Sequence, residues 1–204
     1  TLRIVARGEA ADDGVTLTSA AIGLVDGQNR LAGQWVATPA DLDAGLTAAF
    51  AVPPGAYRVR VAAVDAAGRA GTVDVPVVAE LARAGTLSIS DLMLGVRREA
   101  GFIPRLQFST EPVATVYLEV YGAQGGAGIH AVIELADSAT GPARVTRTAT
   151  FAATAEPDRF LATAALPIGA LPPGHYVVRA TMGLEGQATT RVARTLVKSG
   201  PDGR

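Results

Sequence analysis

The sequence predicts an all-β chain built as two tandem β-sandwich domains. Three observations predict it. Apolar and polar residues alternate with period two along many short runs. Turn-forming clusters rich in Gly, Pro, Asn and Asp separate those runs. One turn-and-strand phrase is written twice, as "VPPGAYRVRVAAVDAAGRAG" at 52–71 and "LPPGHYVVRATMGLEGQA" at 171–188.

The two copies align without gaps through the turn. Pro53, Pro54, Gly55, Tyr57, Val59 and Arg60 correspond to Pro172, Pro173, Gly174, Tyr176, Val178 and Arg179, 119 residues later (53 to 172). That period is too long for a solenoid repeat of about 20–50 residues and suits two consecutive domains. Proline fixes φ and lacks a donor, so the Pro pairs end one strand, and the glycine lets the chain reverse. Tyr57, Val59, Val61 and Ala63 then alternate with Arg58, Arg60 and Ala62. Leu46, Ala48, Phe50 and Val52 alternate in the same way before the turn. The phrase therefore reads as two antiparallel strands, or as a crossover between sheets.

Taken in order, the predicted strands of the first half are 2–7, 20–25, 34–36, 46–52, 57–65 and 71–78. Those of the second half are 87–94, 105–108, 115–121, 129–135, 145–152, 160–166, 176–181 and 189–197. "TPADLDAG" reads as a helical turn capped by Thr38, and "VAELARAG" as a second one. "ELARAG" also marks the boundary, giving domains over 1–82 and 83–204. The first is short for a seven-strand sandwich, so a strand is expected upstream. A first residue set directly inside the strand-like run "LRIVARG" suggests a piece of a longer protein.

Composition excludes several classes. Of the 204 residues, 49% are hydrophobic and 18% charged, which argues for a packed core; that core leans on Ala and Val, since aromatics are 5%. Net charge is −1, and Lys198 is the only lysine among 18 scattered basic residues, so nothing marks a nucleic-acid-binding face. No apolar run approaches the roughly 20 residues of a bilayer-spanning helix. Without cysteine there is no disulfide or thiolate metal site.

Candidate chemistry is sparse. His130 and His175 are two isolated histidines on separate loops, fewer than the three or four ligands of a zinc site. No Gly-x-Ser-x-Gly elbow occurs, and Ser90-Asp91 reads as a strand-edge turn bonding nearby backbone. Asp12-Asp13, Asp41/Asp43 and Glu134/Asp137 are loop acids, the first two pairs being calcium candidates without the density of an EF-hand. "GAQGGAG" at 122–128 lacks the Lys-Ser/Thr of a phosphate loop and reads as a hairpin tip, with Gly125 and Gly126 as an interaction surface. Trp35, the only tryptophan, belongs in or near the core, whereas exposure would make it a ligand platform. Tyr57 and Tyr176 are each expected to bury a ring at a sandwich corner while the hydroxyl reaches backbone. With no catalytic or cofactor motif, no catalytic residue, cofactor or metal site is assigned.

"PPGAYRVRVAAVDAAGRAGTVDVPV" followed by "LSISDLMLG" resembles the C-terminal β-sandwich region of bacterial von Willebrand factor A-related proteins, long secreted or envelope proteins common in acidobacteria. The resemblance covers residues 45–95. "PPG-x-Y-x-V" is also similar to the strand entry of many immunoglobulin-like and fibronectin type III modules. The Asp-x-Ser-x-Ser metal motif of A domains is absent, and "SISD" at 88–91 has the wrong order. The resemblance implies tandem immunoglobulin-like domains. It further implies a bacterial protein, secreted or in the cell envelope, and the repeated strand entry, the missing catalytic constellation and the near-neutral charge point to a non-enzymatic spacer, scaffold or protein-interaction module. Its partner would be another protein or other domains of the same chain. The competing reading is a carbohydrate- or calcium-binding module.

Overall fold

In a computed structural model, which describes residues 1–10, 14–99, 101–105 and 107–200, the chain is all-β. It divides into two compact units, Thr1–Glu80 and Leu81–Arg204. Each is a sandwich of two sheets.

The first unit contains β1 (Leu2–Gly8), β2 (Leu17–Asp26), β3 (Leu31–Val36), α1 (Pro39–Ala44), β4 (Leu46–Val52), β5 (Gly55–Asp65) and β6 (Ala70–Ala79). β1 and β4 form a two-stranded antiparallel sheet, and β3-β2-β5-β6 form a four-stranded one. Period-two alternation puts Ile4, Ala6, Leu46, Ala48, Phe50 and Val52 of the small sheet against Ala20, Ile22, Leu24 and Val59 of the large one. Thr38 stands at the N-cap of α1, but its hydroxyl accepts no helix N–H; its backbone N–H and its hydroxyl both donate to the Asp41 carboxylate, at 2.8 and 2.7 Å, so Asp41 folds back to close the helix entry.

β4 and β5 lie in different sheets, so the Pro53-Pro54-Gly55 phrase is a crossover between sheets. Gly55 sits at φ +156°, a region favouring glycine, whereas Gly174 adopts no positive φ. Backbone freedom thus explains one of the two aligned glycines.

The second unit contains β7 (Ala82–Ala84), β8 (Leu87–Ile89), β9 (Met93–Arg98), β10 (Gly101–Pro104), β11 (Gln107–Phe108), β12 (Val113–Tyr121), β13 (Ile129–Ala136), β14 (Ala143–Thr148), β15 (Thr150–Ala153), β16 (Arg159–Pro167), β17 (Gly174–Leu184) and β18 (Thr190–Lys198). One sheet runs β10-β9-β12-β16-β15, with β8 sharing the β12 edge and β7 pairing β8. The other runs β11-β18-β17-β13-β14, antiparallel except for the parallel β11–β18 pair. The core between them includes Leu87, Leu94, Phe108, Leu118, Ile133, Leu135 and Leu166.

Five local readings need correction. The run 145–152, read as one strand, divides into β14 and β15, which belong to opposite sheets. "VAELARAG" is no helix: its Ala82–Ala84 part is β7, recruited by pairing with Leu87–Ile89, and this pairing draws those residues into the second unit. The run 87–94 breaks into β8 and β9 at Ser90-Asp91-Leu92. The β9–β10 hairpin falls where no separate strands were read. The stretch 122–128 is not a hairpin tip, because β12 and β13 belong to opposite sheets and it carries the chain across, with a 3-10 turn at Gln124–Gly126.

Candidate functional site

The repeated phrase builds the same local device twice. The Tyr57 hydroxyl donates to the Pro53 carbonyl at 2.9 Å, and the Tyr176 hydroxyl to the Pro172 carbonyl at 2.8 Å. The ladders correspond as well, Tyr57 facing Val77 and Tyr176 facing Leu196, each 119 residues apart. Tyr176 is buried, whereas Tyr57 is half-buried at the rim. These corners tie each crossover to the strand that follows it.

The groups singled out for chemistry stay apart and are engaged structurally. His130 and His175 are exposed, at the starts of β13 and β17. Those starts lie at opposite ends of an antiparallel pair, since His130 faces Gly183. Ser90 substitutes for a backbone group in the β12 ladder. Its N–H donates to the Glu119 carbonyl at 2.9 Å, and its Oγ accepts the Glu119 N–H at 2.9 Å while donating to the Asp91 carbonyl. That bond lets the edge strand kink and swing Leu92 into the core. Glu134 pairs at 2.9 Å with the buried Arg179, which also donates to the Ala139 and Gly141 carbonyls. Asp137 pairs with Arg144 and Asp41 caps α1, while Asp43 is exposed. Asp12-Asp13 lies outside the described residues. Among the described residues, no group of three or more His, Asp or Glu is placed to hold a metal ion.

The remaining sites of interest also take structural positions. Trp35 is half-buried on β3 and packs on the core edge. Gly126 nestles under the Phe160 ring, where an added Cβ would stand 2.6 Å from ring carbon, while Gly125 is exposed at φ +64°. Lys198 is buried, its ammonium donating to the Ser109 carbonyl. Its role is to hold β11 against β18.

One cluster escaped the sequence reading. Tyr117, Glu119 and Tyr121 share the outer face of β12, and both tyrosine hydroxyls and the Arg159 guanidinium donate to the Glu119 carboxylate. Phe102 from β10 stacks on Tyr117 with ring centroids 5.4 Å apart. Gly95 makes room for it: a Cβ there would lie 2.2 Å from the Ile103 carbonyl oxygen and 2.8 Å from the Phe102 ring. Burial opposes ionisation of Glu119, but the Tyr121 hydroxyl and Arg159 together hold its carboxyl below the ordinary value. Burial, then the bond to Glu119, pushes the Tyr121 phenol up to about 12. The period-two spacing of Tyr-x-Glu-x-Tyr was the available signal.

The first unit also carries most of the exposed large apolar side chains among the described residues. Among the described residues, six of eight exposed large hydrophobics lie there, namely Val5, Leu31, Val36, Val73, Val75 and Val78. All but Val5 are on β3 and β6, the two edge strands of the larger sheet.

Together these features define a β-sandwich chain whose polar clusters brace strands and whose apolar surface gathers at sheet edges. No family model matches the chain, and no curated protein matches it. Among solved structures, the C-terminal domain of the AgI/II polypeptide BspA from Streptococcus agalactiae pairs with it at 12% identity. That alignment covers 97% of this chain and 83% of the other, with a TM-score of 0.25, too low a likeness to carry an argument.

Proposed function

We propose that the chain is a non-enzymatic structural and protein-interaction module of a bacterial secreted or envelope protein. The placement of five exposed apolar side chains on the edge strands β3 and β6 carries this reading. Sheet edges offer unpaired backbone groups, and apolar side chains beside them favour contact with another polypeptide over solvent. The engaged state of Ser90, Glu119 and Glu134 supports the same reading, because each carries strand or loop architecture. The partner is another protein or a further domain of the same polypeptide.

Photo-crosslinking residues installed at Val36 and Val78 in cells that make the protein test it. Discrete protein adducts are expected at both positions, with none from the outer-face control Thr163. Absence of adducts at both edges overturns the reading.

A second reading, a carbohydrate- or calcium-binding module, is favoured by one observation, the Phe102–Tyr117 stack beside Tyr121, Glu119 and Arg159. A glycan array run across a calcium titration decides it, and silence throughout removes it.

A further inference from the structure

We propose that the edge of β1 left unpaired among the described residues receives an added strand. The occupant is an extended segment of another polypeptide, apolar at every second residue, running antiparallel to β1 and covering Val73 and Val75. The inference rests on the interaction-module reading and assigns its docking site.

The two sheets of the first unit are unequal, two strands facing four. β4 lies over β3 and β2, with the Phe50 ring against Gly33, while β1 approaches β6. The uncovered part of the larger sheet is therefore beneath the free edge of β1. Val73 and Val75 sit there. They face Val61 and Val59 across the ladder and so share the inner face with the buried Val59, yet they are 54% and 50% exposed.

The second unit shows what fills this position. There β12 pairs with β16 as β1 pairs with β4, and the β17–β18 ladder matches β5–β6. The remaining edge of β12 is occupied by β8 and β9, antiparallel, which bury Leu87, Ile89 and Leu94. β7 and β9 also approach β18. Val192, the counterpart of Val73, packs on that core, and the counterpart of Val75 is the exposed Arg194. Where the second unit leaves this face to water it carries arginine; the first unit carries valine. The missing strand thus has a shape, a direction and an apolar face already realised in the same chain.

Charge points to a different polypeptide over a second copy. The outer face of β1 presents Arg3, Val5 and Arg7. Two copies paired antiparallel about Val5 would set Arg3 opposite an Arg7 whose charge is already met by Glu9 at 2.7 Å, so Arg3 would gain no acidic partner of its own. An incoming strand with acidic residues on that face complements Arg3 instead. Addition would pair the unpaired backbone groups of Leu2–Gly8, the usual mode of β-augmentation.

The test uses the whole chain and a synthetic peptide of residues 86–96, "TLSISDLMLGV", which spans β8 and the start of β9, the two strands on the equivalent edge in the second unit. Hydrogen exchange at Leu2–Gly8 is expected to slow at least tenfold at saturating peptide, with sedimentation showing one chain per peptide. A control peptide with serine at the positions of Leu87 and Ile89 should give no protection. Val73→Glu, an exposed position whose counterpart Val192 packs on the completed core of the second unit, should fold normally and lose the protection. Unchanged exchange in β1, equal effects of both peptides, or full protection in Val73→Glu overturns the proposal. So does β1 protection in a peptide-free dimer, which would make a second copy the occupant. Adducts at Val36 with no peptide protection would reject this site while leaving the interaction-module reading intact.

Discussion

Tyr176 and Tyr57 make one hydrogen bond in two environments, which separates the value of the bond from that of the ring. Removing the hydroxyl in Tyr176→Phe forfeits the bond to the Pro172 carbonyl, a loss of about 1 kcal/mol. Tyr176→Ala also empties a buried ring site, for a total of about 3–5 kcal/mol. Tyr57→Ala should cost less, because its ring is half-buried. Denaturant titration of the three variants checks the order, and equal midpoints for wild type and Tyr176→Ala would remove the corner's structural role. Glu119 supplies a pH signature. Its folded value lies below the ordinary 4.5, so its contribution is complete above that value and is lost as pH falls through the folded one. The melting temperature of wild type should therefore fall more steeply below pH 4.5 than that of Glu119→Gln. Parallel pH profiles would show that the tyrosine and arginine contacts do not stabilise the carboxylate.

At the scale of elements, the β9–β10 hairpin depends on a residue with no side chain. Gly95 lies opposite Pro104, and a methyl group there would drive into the Ile103 carbonyl oxygen and the Phe102 ring. Backbone cannot yield as a flexible side chain can, so Gly95→Ala should cost about 3 kcal/mol and release Phe102 from Tyr117. Thermal unfolding measures the cost, and wild-type stability would show that the hairpin shifts freely. Such contacts explain which elements were legible. β4 and β5 stand at their read positions because strict alternation and the Pro-Pro break are local signals. Ser90 illustrates what local signals miss: its hydroxyl enters the ladder only once Glu119, 29 residues away, is placed beside it. β7 is likewise a strand by virtue of its partner β8, against the helical preference of its alanines. The Glu119 cluster needed three strands to assemble, although its Tyr-x-Glu-x-Tyr spacing was visible.

At the scale of the molecule, one architecture is executed with two depths of core, and that difference should appear as unequal stability. Ile22 and Leu24 are the first unit's share of the dozen largest fully buried side chains; the other ten, Phe108 among them, lie in the second. The first unit also leaves Val73 and Val75 half exposed on its inner face. Since each buried aliphatic side chain contributes roughly 1.5–3 kcal/mol, such a difference outweighs any surface ion pair, whose median worth is about 0–1 kcal/mol. Pieces spanning 81–204 and 1–80, made separately, are therefore expected to behave differently in guanidinium. The larger piece should unfold cooperatively at high denaturant. The smaller should unfold at a clearly lower midpoint, and the 86–96 peptide that completes its β1 edge should raise that midpoint. Equal midpoints for the two pieces would mean that two strands facing four already make a complete core, and the open edge of β1 would then carry no energetic deficit for a partner to relieve.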